Sequence, residues 1–224
     1  NDKTTDKLKD RIKKNYLLSK NSWFGIGGRA NIFFQPSNTE ELILFLKTIK
    51  LKNFIIIGSG SNILFRDSNF DGVVIKLGKE FCKIEEINSQ VIAGAGALKS
   101  KVSEFAKNNE YSNFEFLSAI PGTVGGGVSM NAGCFGSEMS DIVSQISVID
   151  LSGEKKIITL DDIGFDYRKS ELLDSYIIIE ILFKKTKKIQ STVIENKINL
   201  FKKKKNENQP SGIRTGGSTF KNPI

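Results

Sequence analysis

Residues 115–136 read EFLSAIPGTVGGGVSMNAGCFG, six glycines in twenty-two positions. Glycine loses more conformational freedom on folding than any other residue and weakens helices and strands. A chain this rich in it at one place needs either positive φ several times over or a bare backbone that something else can approach. The stretch has no GK[ST] ending of a phosphate loop and no complete dinucleotide fingerprint. It does place Gly122, Gly125, Gly126 and Gly127 after Pro121 among small and hydroxylated residues. Such a loop can turn several N–H groups toward one anion.

Two further segments put glycine where a strand meets a turn. In IIIGSGSN (55–62), Gly58 and Gly60 follow a β-branched run, with Ile63 where a fingerprint would place its third glycine. In GAGALK (94–99) that place is taken by Lys99. Singly, each reads as a structural turn. Together with the long segment, GSGSN (Gly58, Ser59, Gly60, Ser61, Asn62) can hold a dinucleotide pyrophosphate between two loops without a Rossmann helix, and the small side chains let a flat ring approach.

The rest of the chain supplies the scaffold. Strands are predicted at 31–36, 53–57, 72–77, 90–97, 144–150, 154–160 and 176–185. The segment 37–50 opens with Ser37 and Glu40 at capping-box spacing and predicts a helix burying Leu42, Phe45, Leu46 and Ile49. Residues 97–109 predict a helix with Leu98, Val102, Phe105 and Ala106 inward, and 191–205 another. Leu8, Ile12 and Tyr16 recur every four residues, which predicts an amphipathic helix in the first twenty. Strands and helices mix without strict alternation, so the class is α+β rather than a doubly wound sheet.

Several chemistries are excluded. The chain has no histidine, hence no Ser-His-Asp triad, Cys-His dyad or HExxH zinc helix. Cys82 and Cys134 form no CxxC pair and cannot close a zinc site alone. No run approaches the roughly eighteen apolar residues of a membrane span, and no signal core opens the chain, so a cytoplasmic location is expected. The net charge of +8 gathers in KKTKK (184–188) and KKKK (202–205). Nucleic-acid binding is one reading of those runs. No aromatic residues interleave with them, so a solvated face, or a surface that steers anionic small molecules, fits better.

Five segments in order, NSWFGIGGRA (21–30), IGSGSNIL (57–64), FEFLSAIPGTVGGGVSMNAGCFG (114–136), FDYRKS (165–170) and GGSTFKNP (216–223), resemble the UDP-N-acetylenolpyruvoylglucosamine reductases. The resemblance covers nearly the whole chain from residue 21. It implies a vanillyl-alcohol-oxidase-type fold of two α+β lobes with noncovalent FAD between them and a third, substrate-binding domain. The segments divide as an N-terminal helical piece (1–20), lobe 1 (21–85), lobe 2 (86–189) and the start of the substrate domain (190–224). The flavin-binding set implied is Gly58, Ser59, Gly60, Ser61, Asn62, Pro121, Gly122, Thr123, Gly125, Gly126 and Asn131.

The implied reaction uses NADPH to reduce FAD, and the flavin then delivers hydride to the enolpyruvyl group of UDP-N-acetylglucosamine enolpyruvate, a step of peptidoglycan precursor synthesis. By the same resemblance Arg168 stabilises the enol formed beside the carboxylate, Ser218 donates the proton, and Tyr167 and Asn222 help bind the substrate. The family pattern adds a glutamate after the KNP segment, which this sequence lacks. The expectation is a chain holding the FAD half and the beginning of the substrate domain, in the subclass with a short interval between Arg168 and Ser218. Another FAD oxidoreductase of the same fold is the alternative.

Overall fold

Phe54–Ile57 is apolar at every position, as suits a strand covered on both faces. The computed structural model, which describes residues 8–171 and 175–209, places it as β3 in a four-stranded sheet. β1 (Ile12–Leu17), β2 (Arg29–Phe34), β3 and β4 (Phe70–Lys76) lie in the order β1-β2-β4-β3. β4 runs parallel to both β2 and β3, and β1 is antiparallel to β2. Successive side chains go to opposite sides. Phe33, Ile57 and Val74 join Leu18 and Phe65 on one face; Phe34, Val73 and Ile75 join helix α1 (Thr39–Thr48) on the other. α1 buries Leu42, Phe45 and Leu46. Its cap is Asn38, whose Oδ1 accepts the Glu41 N–H at 2.8 Å, while the Glu41 carboxylate accepts the Ser37 N–H at 2.7 Å. The cap is therefore one residue later than the Ser37–Glu40 spacing predicts, and Glu41 reaches past it to the Ser37 N–H.

The helix expected in the first twenty residues is corrected. Ile12–Leu17 is a strand, the antiparallel partner of β2. Tyr16 stacks on Phe33 at 4.2 Å, Ile12 joins the Phe34 side, and Asn15 between them has φ +50°. Apolar residues four apart satisfy a helix, but they equally satisfy a strand that changes face. The open edge of β2 decides for the strand.

The second sheet comprises β5 (Ile84–Ile87), β6 (Gln90–Gly94), β9 (Val143–Asp150), β10 (Lys155–Thr159) and β11 (Tyr176–Phe183). Its order is β10-β9-β11-β6-β5, antiparallel throughout. β7 (Gly133–Cys134) and β8 (Ser137–Glu138) form a small hairpin. Helices α2 (Lys99–Asn108), α3 (Val124–Ser129), α4 (Met139–Ile142) and α5 (Ser191–Asn208) complete the described chain.

One core joins Ala93, Ile146 and Ile181 of this sheet to Val102, Val128 and Phe201 of the helices. Ile149, Ile177 and Ile179 instead enter the cluster of Phe34 and α1, so the two sheets share a core across their junction. α5 opens the segment that the resemblance gives to a substrate domain. Its described residues pack on the second sheet's helical layer through Ile194, Ile198 and Phe201, with Lys197 3.4 Å from the buried Glu115 carboxylate. Among the described residues no helix is long and apolar enough to cross a membrane.

Candidate active site

β3 and β4 are parallel neighbours, so the chain must cross back between them. It does so without a helix, and GSGSN sits where β3 ends. Gly60 has φ +73°, and a Cβ there would stand 1.9 Å from the Asn21 carbonyl oxygen. The loop is braced from outside by the Trp23 N–H, which donates to Gly60 O at 3.0 Å. The peptide N–H groups of Ser59, Gly60, Ser61 and Asn62 donate to no other described residue. Four amides in one turn without a described acceptor are available to an anion.

The second glycine segment is brought against this loop. A Cβ on Gly58 would lie 2.3 Å from Thr123 Oγ1. Gly122, at φ +108°, leaves open a point 2.9 Å from Ser61 Oγ and 3.5 Å from both Ser59 Oγ and Lys99 Nζ. The expected nest over Gly125, Gly126 and Gly127 is corrected, however. Val124–Ser129 is a short helix capped by Thr123, and its amides are used internally. Gly125 N–H donates to Ala95 O at 2.9 Å, Gly126 N–H to Thr123 Oγ1 at 3.3 Å and Gly127 N–H to Thr123 O at 3.0 Å. These glycines act by close approach instead: a Cβ on Gly125 would be 2.8 Å from the Ala95 Cβ, and one on Gly127 3.2 Å from Lys99 Cδ. Gly126 is different. A Cβ there would meet only Thr123 Oγ1, at 3.4 Å, and the space beyond is open. Pro121 is exposed ahead of the turn.

Lys99 is the residue that reading by sequence misses. α2 buries Lys99, Val102, Ser103 and Ala106, and turns the expected Leu98 out to 43 % exposure. Lys99 is 4 % exposed. Burial pushes its ammonium down to about 8, the nearby Cys134 thiol opposing and the Arg168 and Lys205 cations reinforcing. The signal was present: a lysine in register with Val102, Ser103 and Ala106 lies on the apolar face.

At the other end of the long segment stands Arg168, itself at φ +56° in the tight Asp166–Lys169 turn. Its guanidinium donates to Gly133 O at 2.9 Å and Asn131 O at 3.3 Å and lies over the Tyr167 ring. The Asn131 side chain donates to Glu138 Oε1 and Asp166 O and accepts the Ser140 N–H, so its amide holds this corner together. Ser170 Oγ donates to Ser129 O at 3.2 Å, tying the turn to α3. The Cys134 thiol is pushed up to about 11 by burial, against the pull of Arg168, Lys205 and Lys99, and stays protonated at neutral pH. Among the described residues no carboxylate pairs with Lys99, Arg168 or Lys205. The result is a corner rich in cations and hydrogen-bond donors, suited to ligands carrying several negative charges. Ser218 and Asn222 lie outside the described residues.

A cleft of about 280 Å³ elsewhere, lined by Glu80, Lys83, Glu85 and Glu180 among others, shares no residue with this corner. Its three carboxylates would repel a phosphate. The residues around Gly122 do fit a pyrophosphate-bearing cofactor such as FAD: two hydroxyls and one buried cation lie within 3.5 Å of the point that a side chain at residue 122 would take, and the loop carrying those hydroxyls has four amides without a described partner.

Comparison with known proteins agrees. A family model described as an FAD binding domain matches residues 30–159, from β2 to the end of β10. The UDP-N-acetylenolpyruvoylglucosamine reductase of Pelagibacter ubique (strain HTCC1062) is 46 % identical over 224 residues, 99 % of this chain and 74 % of that protein. That of Rickettsia rickettsii (strain Sheila Smith) is 43 % identical over 96 % of this chain and 73 % of its own length. The crystal structure of UDP-N-acetylenolpyruvylglucosamine reductase (MurB) from Thermus caldophilus superposes with a TM-score of 0.82 at 29 % identity, covering 95 % of this chain and 75 % of that one.

Proposed function

The chain belongs to the UDP-N-acetylenolpyruvoylglucosamine reductase family, and from that premise we propose that it converts UDP-N-acetylglucosamine enolpyruvate to UDP-N-acetylmuramate with NADPH as the source of hydride. FAD, held noncovalently, supplies the hydride-carrying ring. The chain's own residues bind and polarise. The free amides of Ser59–Asn62, the Ser59 and Ser61 hydroxyls and the turn at Pro121–Thr123 hold the cofactor's phosphates. Gly125 and Gly126 carry the helix face beside it, and Asn131 positions the Arg168 corner. A cytoplasmic site of action belongs to the same proposal, since both substrates are nucleotide-linked and highly charged.

The observation that carries the reading is Arg168. Two carbonyls fix its guanidinium, leaving donors for a ligand, and no described carboxylate neutralises it. A planar, permanently charged fork matches a carboxylate, and it stabilises the negative charge that grows beside that carboxylate during reduction. Tyr167 and Asn222 complete the substrate contacts. Ser218 gives its proton to the carbon next to the carboxylate; a serine is a weak acid and suffices only against so basic a carbon.

Ser218→Ala in the full protein tests this. Loss of a placed general acid lowers the rate by about 10²–10⁴-fold. Stopped-flow flavin absorbance should show normal bleaching by NADPH and a recovery of colour with the enolpyruvyl substrate slowed by that factor. A variant slow with NADPH and normal with the UDP-sugar would move the proton-donor role to another residue.

A further inference from the structure

We propose that Lys99 is a cofactor-binding residue of this chain, its ammonium holding the pyrophosphate of FAD from the side opposite the GSGSN loop. The inference rests on the FAD reading above.

The stem of Lys99 runs over Gly127, whose missing side chain gives it room, and its Nζ ends beside Gly122. Ser59 Oγ, Ser61 Oγ and Lys99 Nζ all lie within 3.5 Å of the one point that a Gly122 side chain would take. Around that point the structure places two hydroxyls, the Ser59 Oγ–H donating to Ser61 Oγ at 3.4 Å, and one cation, and the loop that carries the serines has amides without a described partner. A buried charge is unfavourable unless an anion meets it, and no hydrogen bond or ion pair joins Lys99 Nζ to any described residue. The charged and titratable groups facing it are Cys134, protonated at neutral pH, and the cations Arg168 and Lys205. None of them can neutralise it, so no described residue supplies the counter-anion, and a ligand's anion fits the place. Arg168 is committed to the Asn131–Gly133 corner, whereas Lys99 faces the two serines of the loop. The anion that belongs there is the diphosphate linking the halves of FAD.

The test titrates the apoprotein with FAD and with riboflavin, which has the ring without the pyrophosphate, following flavin fluorescence for wild type, Lys99→Met and Lys99→Arg. A charged hydrogen bond is worth about tenfold or more in affinity. Lys99→Met should therefore weaken FAD at least tenfold and leave riboflavin within twofold, and Lys99→Arg should retain most FAD affinity. The apo melting temperature of Lys99→Met should rise by several degrees, because an unpaired buried charge has gone. A second measurement needs no variant: raising the pH of wild type from 7 to 9 should weaken FAD and leave riboflavin unchanged. Unchanged FAD affinity in Lys99→Met, or an equal loss for riboflavin, would overturn the proposal. A wild-type protein that takes up neither flavin would overturn the FAD reading itself.

Discussion

GSGSN and GAGALK look alike in sequence, each a glycine-x-glycine after a strand, and the fold gives them opposite chemistry. In the second, every amide from Gly94 to Ala97 is taken: Gly94 N–H by Lys83 O, Ala95 N–H by Ile179 O, Gly96 N–H by Phe81 O and Ala97 N–H by Gly94 O. In the first, the amides from Ser59 to Asn62 meet no described partner. Both loops need their glycines for close approach. A Cβ would stand 1.9 Å from Asn21 O at Gly60 and 2.1 Å from Phe81 O at Gly94. The difference lies in what approaches. At 94–97 the segment around Phe81–Lys83, strand β11 and the loop itself offer carbonyls to the amides; at GSGSN the close carbonyl of Asn21 accepts none of them, the other near groups are the Thr123 and serine hydroxyls, and the amides have no described partner. Glycine spacing marks a crowded backbone, and only the neighbour decides whether that backbone binds a ligand.

That contrast breaks most readily at its two tightest glycines. Gly60→Ala combines a positive-φ penalty with a backbone clash, at a cost of about 3 kcal/mol or more, and it should abolish FAD uptake even where some folded protein survives. Gly94→Ala should lose about 1–3 kcal/mol in urea melts while the folded fraction binds FAD within twofold of wild type. Equal loss of FAD affinity in both variants would remove the distinction between the loops.

Gly126→Val sharpens the comparison inside the long segment. Gly126 is helical and its Cβ direction is open, so replacing glycine by valine there changes stability by less than about 0.5 kcal/mol. If the flavin occupies that open face, its affinity should fall at least tenfold while the melting temperature hardly moves. Normal FAD binding by this variant would place the cofactor elsewhere.

The smallest effect is a pH slope. Lys99 titrates lower in the folded apoprotein, about 8, than in the unfolded chain. From there up to its unfolded value the unfolded state binds more protons, so stability rises with pH, by about 1 kcal/mol between pH 8 and 9. Cys134, held up to about 11, acts oppositely once pH passes the ordinary thiol value, because then the folded state keeps the proton. Urea melts of the apoprotein should thus rise in stability between pH 8 and 9 and flatten above it. Lys99→Met should lack the rise. Identical curves for the two proteins would show that the ammonium is solvated.

Much of the site could be read from residue order. The motif segments carry the family, and those that fall in the described residues converge: Gly60 on Asn21, Gly58 on Thr123, Gly122 on Ser61, Arg168 on Asn131 and Gly133. The glycine-rich stretch, by contrast, reads as a loop because intrinsic propensity counts three glycines against a helix. Thr123 and the carbonyl of Ala95 outweigh that propensity by satisfying the first amides.

What the sequence determined by itself was whatever depends on neighbours along the chain. The strand character of β2 and β4, the apolar run of β3, and the buried face of α1 all follow from residue order, and the absence of histidine removes whole classes of catalysis. The tertiary structure alone decided what depends on residues far apart: that Ile12–Leu17 pairs with β2, that α2 turns Lys99 in and Leu98 out, and that one glycine loop keeps its amides free. Periodicity records which residues share a face, and the sequence does not state which neighbour that face or that amide will meet. Hydrogen-bond partners and buried charges are settled only when distant segments come into contact.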